Sequence, residues 1–148
     1  MSEEDTRCET TRYFHDQIPI TREMGVEVES WRDGTLVLTA PLEPNHNHLG
    51  TAFGGSLGAI STLAGYGLLW LWLEDKAIHI VVRSSNLEYH HPVTGTIRAT
   101  CKLPGEAALI AFRKRLDHKG KARLALRVVI EEDNKVCVEF EGVFVAIR

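Results

Sequence analysis

The chain has 148 residues, 44% hydrophobic and 25% charged, with a formal net charge of −3. That balance suits one folded domain with a full core, read as residues 1–148 with 1–7 disordered. It carries no basic footprint, which excludes nucleic acid as a partner. Cys8, Cys101 and Cys137 are too scattered for a disulfide framework or a zinc spacing. The acidic start, Met1 to Asp5, lacks the basic-then-apolar order of a signal peptide, so a cytoplasmic protein with reduced thiols is expected.

Residues 9–17 read as a short helix anchored by Tyr13 and Phe14, with Pro19 just beyond its end. Val26 and Val28 alternate with Glu27 and Glu29, and Leu36, Leu38 and Ala40 alternate after Asp33-Gly34. This predicts a hairpin over 25–32 and 35–41. Pro41 and Pro44 end it and open a polar loop, Asn45-His46-Asn47-His48, that runs through Gly50-Thr51-Ala52-Phe53 into Gly54-Gly55.

From Leu49 to Leu73 there is no charged residue, a length that can cross a bilayer. Six glycines interrupt it and strand-like segments flank it, so the spacing predicts a buried core helix over 54–73 and no membrane span. The first N–H groups of such a helix lack intrahelical partners, and its positive dipole end favours a carbonyl or anionic oxygen. Plain packing of a glycine pair is the simpler reading, but packing alone does not require the polar loop.

Residues 78–91 read as a strand, Pro92-Val93-Thr94-Gly95 as a turn, and 96–101 as the strand returning beside it. Leu109, Phe112 and Leu116 recur at helical spacing, with Gly120 at the C-cap position, which predicts a second amphipathic helix over about 105–119. Alternation resumes over 122–131, Asp133-Asn134 turns the chain, and 136–147 closes it as a last strand. The class is α+β, an antiparallel sheet of five or six strands wrapped on one long helix. Its edges need cover, which points to self-association as a homodimer or a dimer of dimers.

The element order, with Pro44-Asn45-His46-Asn47, Gly50-Thr51-Ala52-Phe53-Gly54-Gly55-Ser56-Leu57, Tyr89-x-x-Pro92-Val93-Thr94-Gly95 and the extra helix, resembles the hotdog-fold thioesterase family typified by the YiiD C-terminal domain. The resemblance covers nearly everything after about residue 15. It implies an acyl thioester ligand, a tunnel along the helix, and sites shared across a dimer. The wider acyl-CoA thioesterase group has an Asn, a His-Gly-Gly opening the helix, and an acid two turns in. Asn47, Gly54 and Gly55 match that pattern; Phe53 stands where the His would be, and Thr62 where the acid would be.

The catalytic candidates are therefore Asn47, Gly55, Thr62, His46 and His48. An Asn amide and a backbone N–H can donate to a thioester carbonyl, a threonine can hold water, and an imidazole can take a proton. Asn47 as a simple turn residue is the competing reading. Thr51, Phe53, Gly54, Ser61, Asn86 and Glu88 are the substrate-binding candidates, although buried helix hydroxyls such as Ser61 more often bond back to a helix carbonyl. His46, His48, His90 and His91 are imidazoles that can bind a metal, but no Cys or acid completes a set, so none is expected. Arg113, Lys114, Arg115, Lys119 and Lys121 could meet phosphates; a solvated helix face is simpler. The reading is an acyl-CoA or acyl-carrier-protein thioester hydrolase without a cofactor, acyl-CoA or acyl-phosphopantetheine being the substrate. The rival from another class is a non-catalytic acyl-thioester binding module. Dehydration of hydroxyacyl thioesters would want a His and an acid, and the loop supplies neither at the expected places.

Overall fold

The structure is a computed structural model that describes residues 2–148. A single six-stranded antiparallel sheet wraps one long helix. Two short helices, α1 (Glu3–Gln17) and α2 (Ile20–Glu23), precede the hairpin of β1 (Glu27–Arg32) and β2 (Thr35–Ala40). Asp33 and Gly34 turn it with φ of 50° and 70°, the doubly left-handed turn that matches strand twist. The central helix α3 (Gly54–Leu73) follows, then β3 (His79–Tyr89), β4 (Ile97–Lys102), helix α4 (Glu106–Lys119), β5 (Lys121–Glu132) and β6 (Lys135–Ile147). The strand order is β1-β2-β4-β5-β6-β3.

Among the described helices, α3 alone is long and apolar enough to cross a membrane, and it is the core helix of this domain. Leu57, Ile60, Ala64, Leu68 and Leu69 bury against the inner sheet face. Gly65 lets the Phe144 ring of β6 press onto the helix backbone; a Cβ there would collide with it. The helix stops at Glu74, which takes a left-handed φ of 53°. Beside the C-terminal half of α3 lies α1, with Phe14 fully buried and Tyr13 stacked on Trp70 at 4.2 Å. Helix α4 covers the far end, where Phe112 meets Trp72 at 6.1 Å.

Three expectations change. Helix α1 starts at Glu3, not near residue 9, because Ser2 and Asp5 form a reciprocal capping box, and Arg32 pairs with Glu3 at 3.0 Å. Residues 3–7, expected to be disordered, are thus helical, with Ser2 as the N-cap; Met1 lies outside the described residues. Pro19 does not simply follow a helix end but opens α2. The strands on either side of Pro92–Gly95 are not neighbours: β4 lies between β2 and β5, whereas β3 pairs only with β6 at the opposite edge. The connecting segment crosses the end of the sheet, pinned by buried Val93, by the bond from Ala52 N to Val93 O (2.9 Å), and by Thr94 on Glu132.

Candidate functional site

One stripe of α3 faces away from the sheet core. Gly55, Gly58, Ala59, Thr62, Leu63 and Tyr66 recur at i, i+3, i+4, i+7, i+8 and i+11, and together they floor a groove of about 790 Å³. The α1–α2 segment forms one wall, with Tyr13, Gln17 and Met24; Ile80, Val82 and Phe144 form the other. The small residues lie toward the N-terminus of α3, so the floor is open there and rises toward Tyr66. No side chain caps α3 at its N-cap residue, Phe53. The backbone donors of its first turn therefore stand at the mouth of the groove, beside Gly55.

The polar loop is held by its own asparagines. Asn45 is 1% exposed, and its Nδ2 donates to the carbonyls of Met24 and Pro41, each at 2.8 Å. Its backbone carbonyl accepts from Phe53 N at 2.7 Å, which fixes the entry to α3. Asn47 donates from Nδ2 to Thr51 Oγ1 at 2.9 Å and accepts at Oδ1 from Leu49 N (2.8 Å) and Thr51 N (3.2 Å). The backbone of His46 bridges that of Ala52, and its Nδ1 lies 2.9 Å from the Asn47 carbonyl. His48 is exposed.

Of the residues singled out from sequence, Gly55 and Thr62 line the groove. Asn47, His46, His48 and Thr51 stay in the loop before α3. The Thr62 hydroxyl donates to the Gly58 carbonyl at 2.9 Å, which leaves its lone pairs free. Ser61 is fully buried with no partner for its hydroxyl. Phe53 is 56% exposed, and its ring lies over Gly55, where a Cβ would strike it. Gly54 accepts a bond from the Tyr89 hydroxyl at 3.3 Å. Asn86 and Glu88 are exposed on β3.

Two groove residues had no site role from the sequence: Tyr13, expected only as a helix anchor, and Tyr66. The hydroxyls of Tyr13 and Tyr66 lie 3.1 Å apart, and burial first, then this bond, raises the Tyr66 phenol above its ordinary range. Tyr66 keeps its proton at neutral pH and can donate. The i+4 step from Thr62 was the available signal for it. Asn45 also went without a role.

Among the described residues, one set approaches metal-ligand geometry: Glu88, His90 and Glu139, with donor atoms within 4.8 Å of one another. It lies on the exposed outer surface, away from the groove lining. The His90 bond, then that of Arg127 at 2.5 Å, holds the Glu139 carboxyl below the usual carboxylate range. A cation there would have to displace the guanidinium.

Comparison with known proteins agrees with this architecture. The family described as “Putative thioesterase (yiiD_Cterm)” matches residues 8–148. A protein of unknown function from Chlorobaculum tepidum TLS is 36% identical, with 99% of this chain and 97% of that one covered and a TM-score of 0.90. A Shewanella oneidensis structure described as a “putative thioesterase” is 29% identical, covering 98% and 99% of the two chains, with a TM-score of 0.87. A Pseudomonas aeruginosa protein described as a “Probable Thioesterase”, at 23% identity, 95% coverage of both chains and a TM-score of 0.79, shares the fold. With all but its first residues matched and one long helix wrapped by an antiparallel sheet, the chain belongs to the YiiD C-terminal family of hotdog-fold thioesterase-like proteins.

Proposed function

We propose that this protein hydrolyses acyl thioesters of CoA or of carrier-bound phosphopantetheine in the cytoplasm. The observation that carries this reading is an uncapped helix N-terminus opening onto an apolar groove. The thioester carbonyl sits at the start of α3. As a nucleophile adds, that oxygen gains charge, and the Gly55 N–H and the helix dipole act most strongly on the charged state. The acyl chain lies on Gly58, Ala59 and Leu63 and ends against the Tyr13–Tyr66 pair. Asn47 shapes the loop and offers the amide hydrogen that Thr51 leaves free. A water at the groove mouth adds to the carbonyl carbon, its proton passing to His46 or His48, or to a group supplied by a second subunit such as Glu88 on the free strand edge; the C–S bond then breaks and the thiol leaves with that proton. Thr62, two turns further along α3, lies beside the acyl chain.

The second subunit is part of the proposal. Strand β3 pairs on one side only, and Val81 and Tyr89 on it are 53% and 55% exposed. Leu49 and Phe53 in the loop are 74% and 56% exposed. Apolar side chains clustered beside an open strand edge favour edge-to-edge pairing that would also roof the groove.

A specific observation favours a second reading, a module that binds acyl thioesters without cleaving them. Among the described residues, no Asp, Glu or His lines the groove of the single chain. A panel of acyl-CoAs assayed for free thiol release, with binding measured in parallel, separates the two. Turnover that follows binding supports the hydrolase; tight binding without thiol release overturns it in favour of the module.

A further inference from the structure

Four hydroxyls line the groove, those of Tyr13, Thr21, Thr62 and Tyr66. Thr21 donates to the Ile18 carbonyl at 2.8 Å and Thr62 to the Gly58 carbonyl at 2.9 Å, so both threonine protons are spent within the chain. The two phenols share one hydrogen bond, at 3.1 Å. Each phenol carries one O–H, so the pair keeps one proton with no partner among the described residues. Packing fixes where that proton stands. Tyr13 stacks on Trp70 with ring centroids 4.2 Å apart, and Tyr66 lies at 6.3 Å from the fully buried Phe14 ring. A tie between α1 and α3 accounts for the shared proton and leaves the second unexplained. An end wall built only for alkyl chains needs no hydroxyl, and phenylalanine, as at Phe144 on the opposite wall, would serve.

We propose that the Tyr13–Tyr66 pair selects an acyl chain that ends in a neutral hydroxyl, remote from the thioester; this rests on the thioester reading above. Tyr66 stands about 16 Å along the helix axis from Gly55, at the far end of the chain from the carbonyl. Solvent can take the spare phenol proton while the groove is open. A chain that fills the groove shuts solvent out, and a methyl end then leaves a donor unpaired, which costs more than an ordinary hydrogen bond contributes. An oxygen at the chain end accepts that proton. If it is a hydroxyl, it can donate in turn to the free lone pairs of Thr62, one turn away on the same stripe of α3, or to the Gln17 amide oxygen on the wall. Among the described residues no charged side chain lines the groove, so a carboxylate or an ammonium end would be desolvated without a counter-ion.

Acyl-CoAs of matched chain length, ending in methyl, hydroxyl or carboxylate, test this in thiol-release assays with calorimetry in parallel. At lengths that reach the pair, kcat/KM should favour the hydroxyl end over the methyl end by about tenfold or more, and over the carboxylate end as well. In Tyr13→Phe/Tyr66→Phe the ratio of hydroxyl-ended to methyl-ended substrate should fall to about one. That variant removes both partners of the bond together, a change that costs the fold little, and a thermal melt checks this. Equal losses on both substrates, with the ratio kept, would show that the pair only ties α1 to α3 and would overturn the proposal. So would an unaltered protein that shows no preference, or one that prefers the carboxylate end, and neither result needs a variant. If calorimetry shows the hydroxyl preference but no thiol is released, the hydrolase reading falls and the selecting pair stands. If all three ends are cleaved alike, the hydrolase stands and the selecting pair falls. Absence of both binding and cleavage overturns both.

Discussion

Asn47 spends most of its hydrogen-bonding capacity inside its own loop, on Thr51 and on the N–H groups of Leu49 and Thr51. A role in holding the loop and a role in holding substrate oxygen are therefore separable by substitution. Asn47→Ala removes both and should cost about 1 kcal/mol of stability as well as activity. Asn47→Asp keeps the acceptor for the two backbone N–H groups but loses the amide donor. It should melt close to the unaltered protein while kcat falls by about tenfold or more, as for loss of one oxyanion donor. Thermal melts and kcat on the same samples check this; full turnover in Asn47→Asp would leave Asn47 as a loop residue only. The type of Asn47 and its distance from Gly54-Gly55 were legible in the sequence. The role of Asn45 was not, because it depends on the carbonyl of Met24, 21 positions away, and only folding brings the two together. That Phe53 occupies the place of the family's His was legible too; that its ring stands largely outside the core, over Gly55, was not.

Helix α3 carries glycines of two kinds. At Gly65 the Phe144 ring already occupies the space a Cβ would need, whereas at Gly58 a Cβ would meet only the Leu87 side chain at 3.7 Å. Gly58→Ala should therefore raise stability by up to about 1 kcal/mol through helix propensity. Gly65→Ala should lower it by about 1–3 kcal/mol through overpacking. Urea midpoints should move in opposite directions; a shift of the same sign in both would show that the Phe144 contact does not constrain the helix. The extent of α3 was readable from its lack of charge and its terminal breakers. The partner of β3 was not. Alternation reports which face of a strand is buried, not which strand lies beside it, and a short Pro–Gly segment looks the same whether it closes a hairpin or crosses the sheet. The sequence run also hid that β3 is exposed on both faces over most of its length, as an edge strand is.

At the scale of the whole molecule, the free edge of β3 and the open groove beside it have one explanation in common, a second copy of the chain. Light scattering should give at least twice the 16.6 kDa chain mass. Val81→Asp, which sets a charge on the exposed edge, should shift the population toward the monomer and lower activity with it. A monomer with full activity would contradict the shared site. That sheet edges would need cover was legible from the strand pattern; which edge was free required the strand order. The central claim, that the acyl chain lies along α3 from the Gly55 end, meets its most direct test in the chain-length profile of thiol release from acyl-CoAs. Ala59 is exposed on the groove floor, so Ala59→Leu shortens the groove without disturbing the core. The account predicts that this variant keeps its turnover of short acyl chains and loses about tenfold or more on long ones, since a blocked apolar site forfeits about 0.8 kcal/mol per CH₂ left unburied. A profile identical to that of the unaltered protein, or a uniform loss at every chain length, would contradict it.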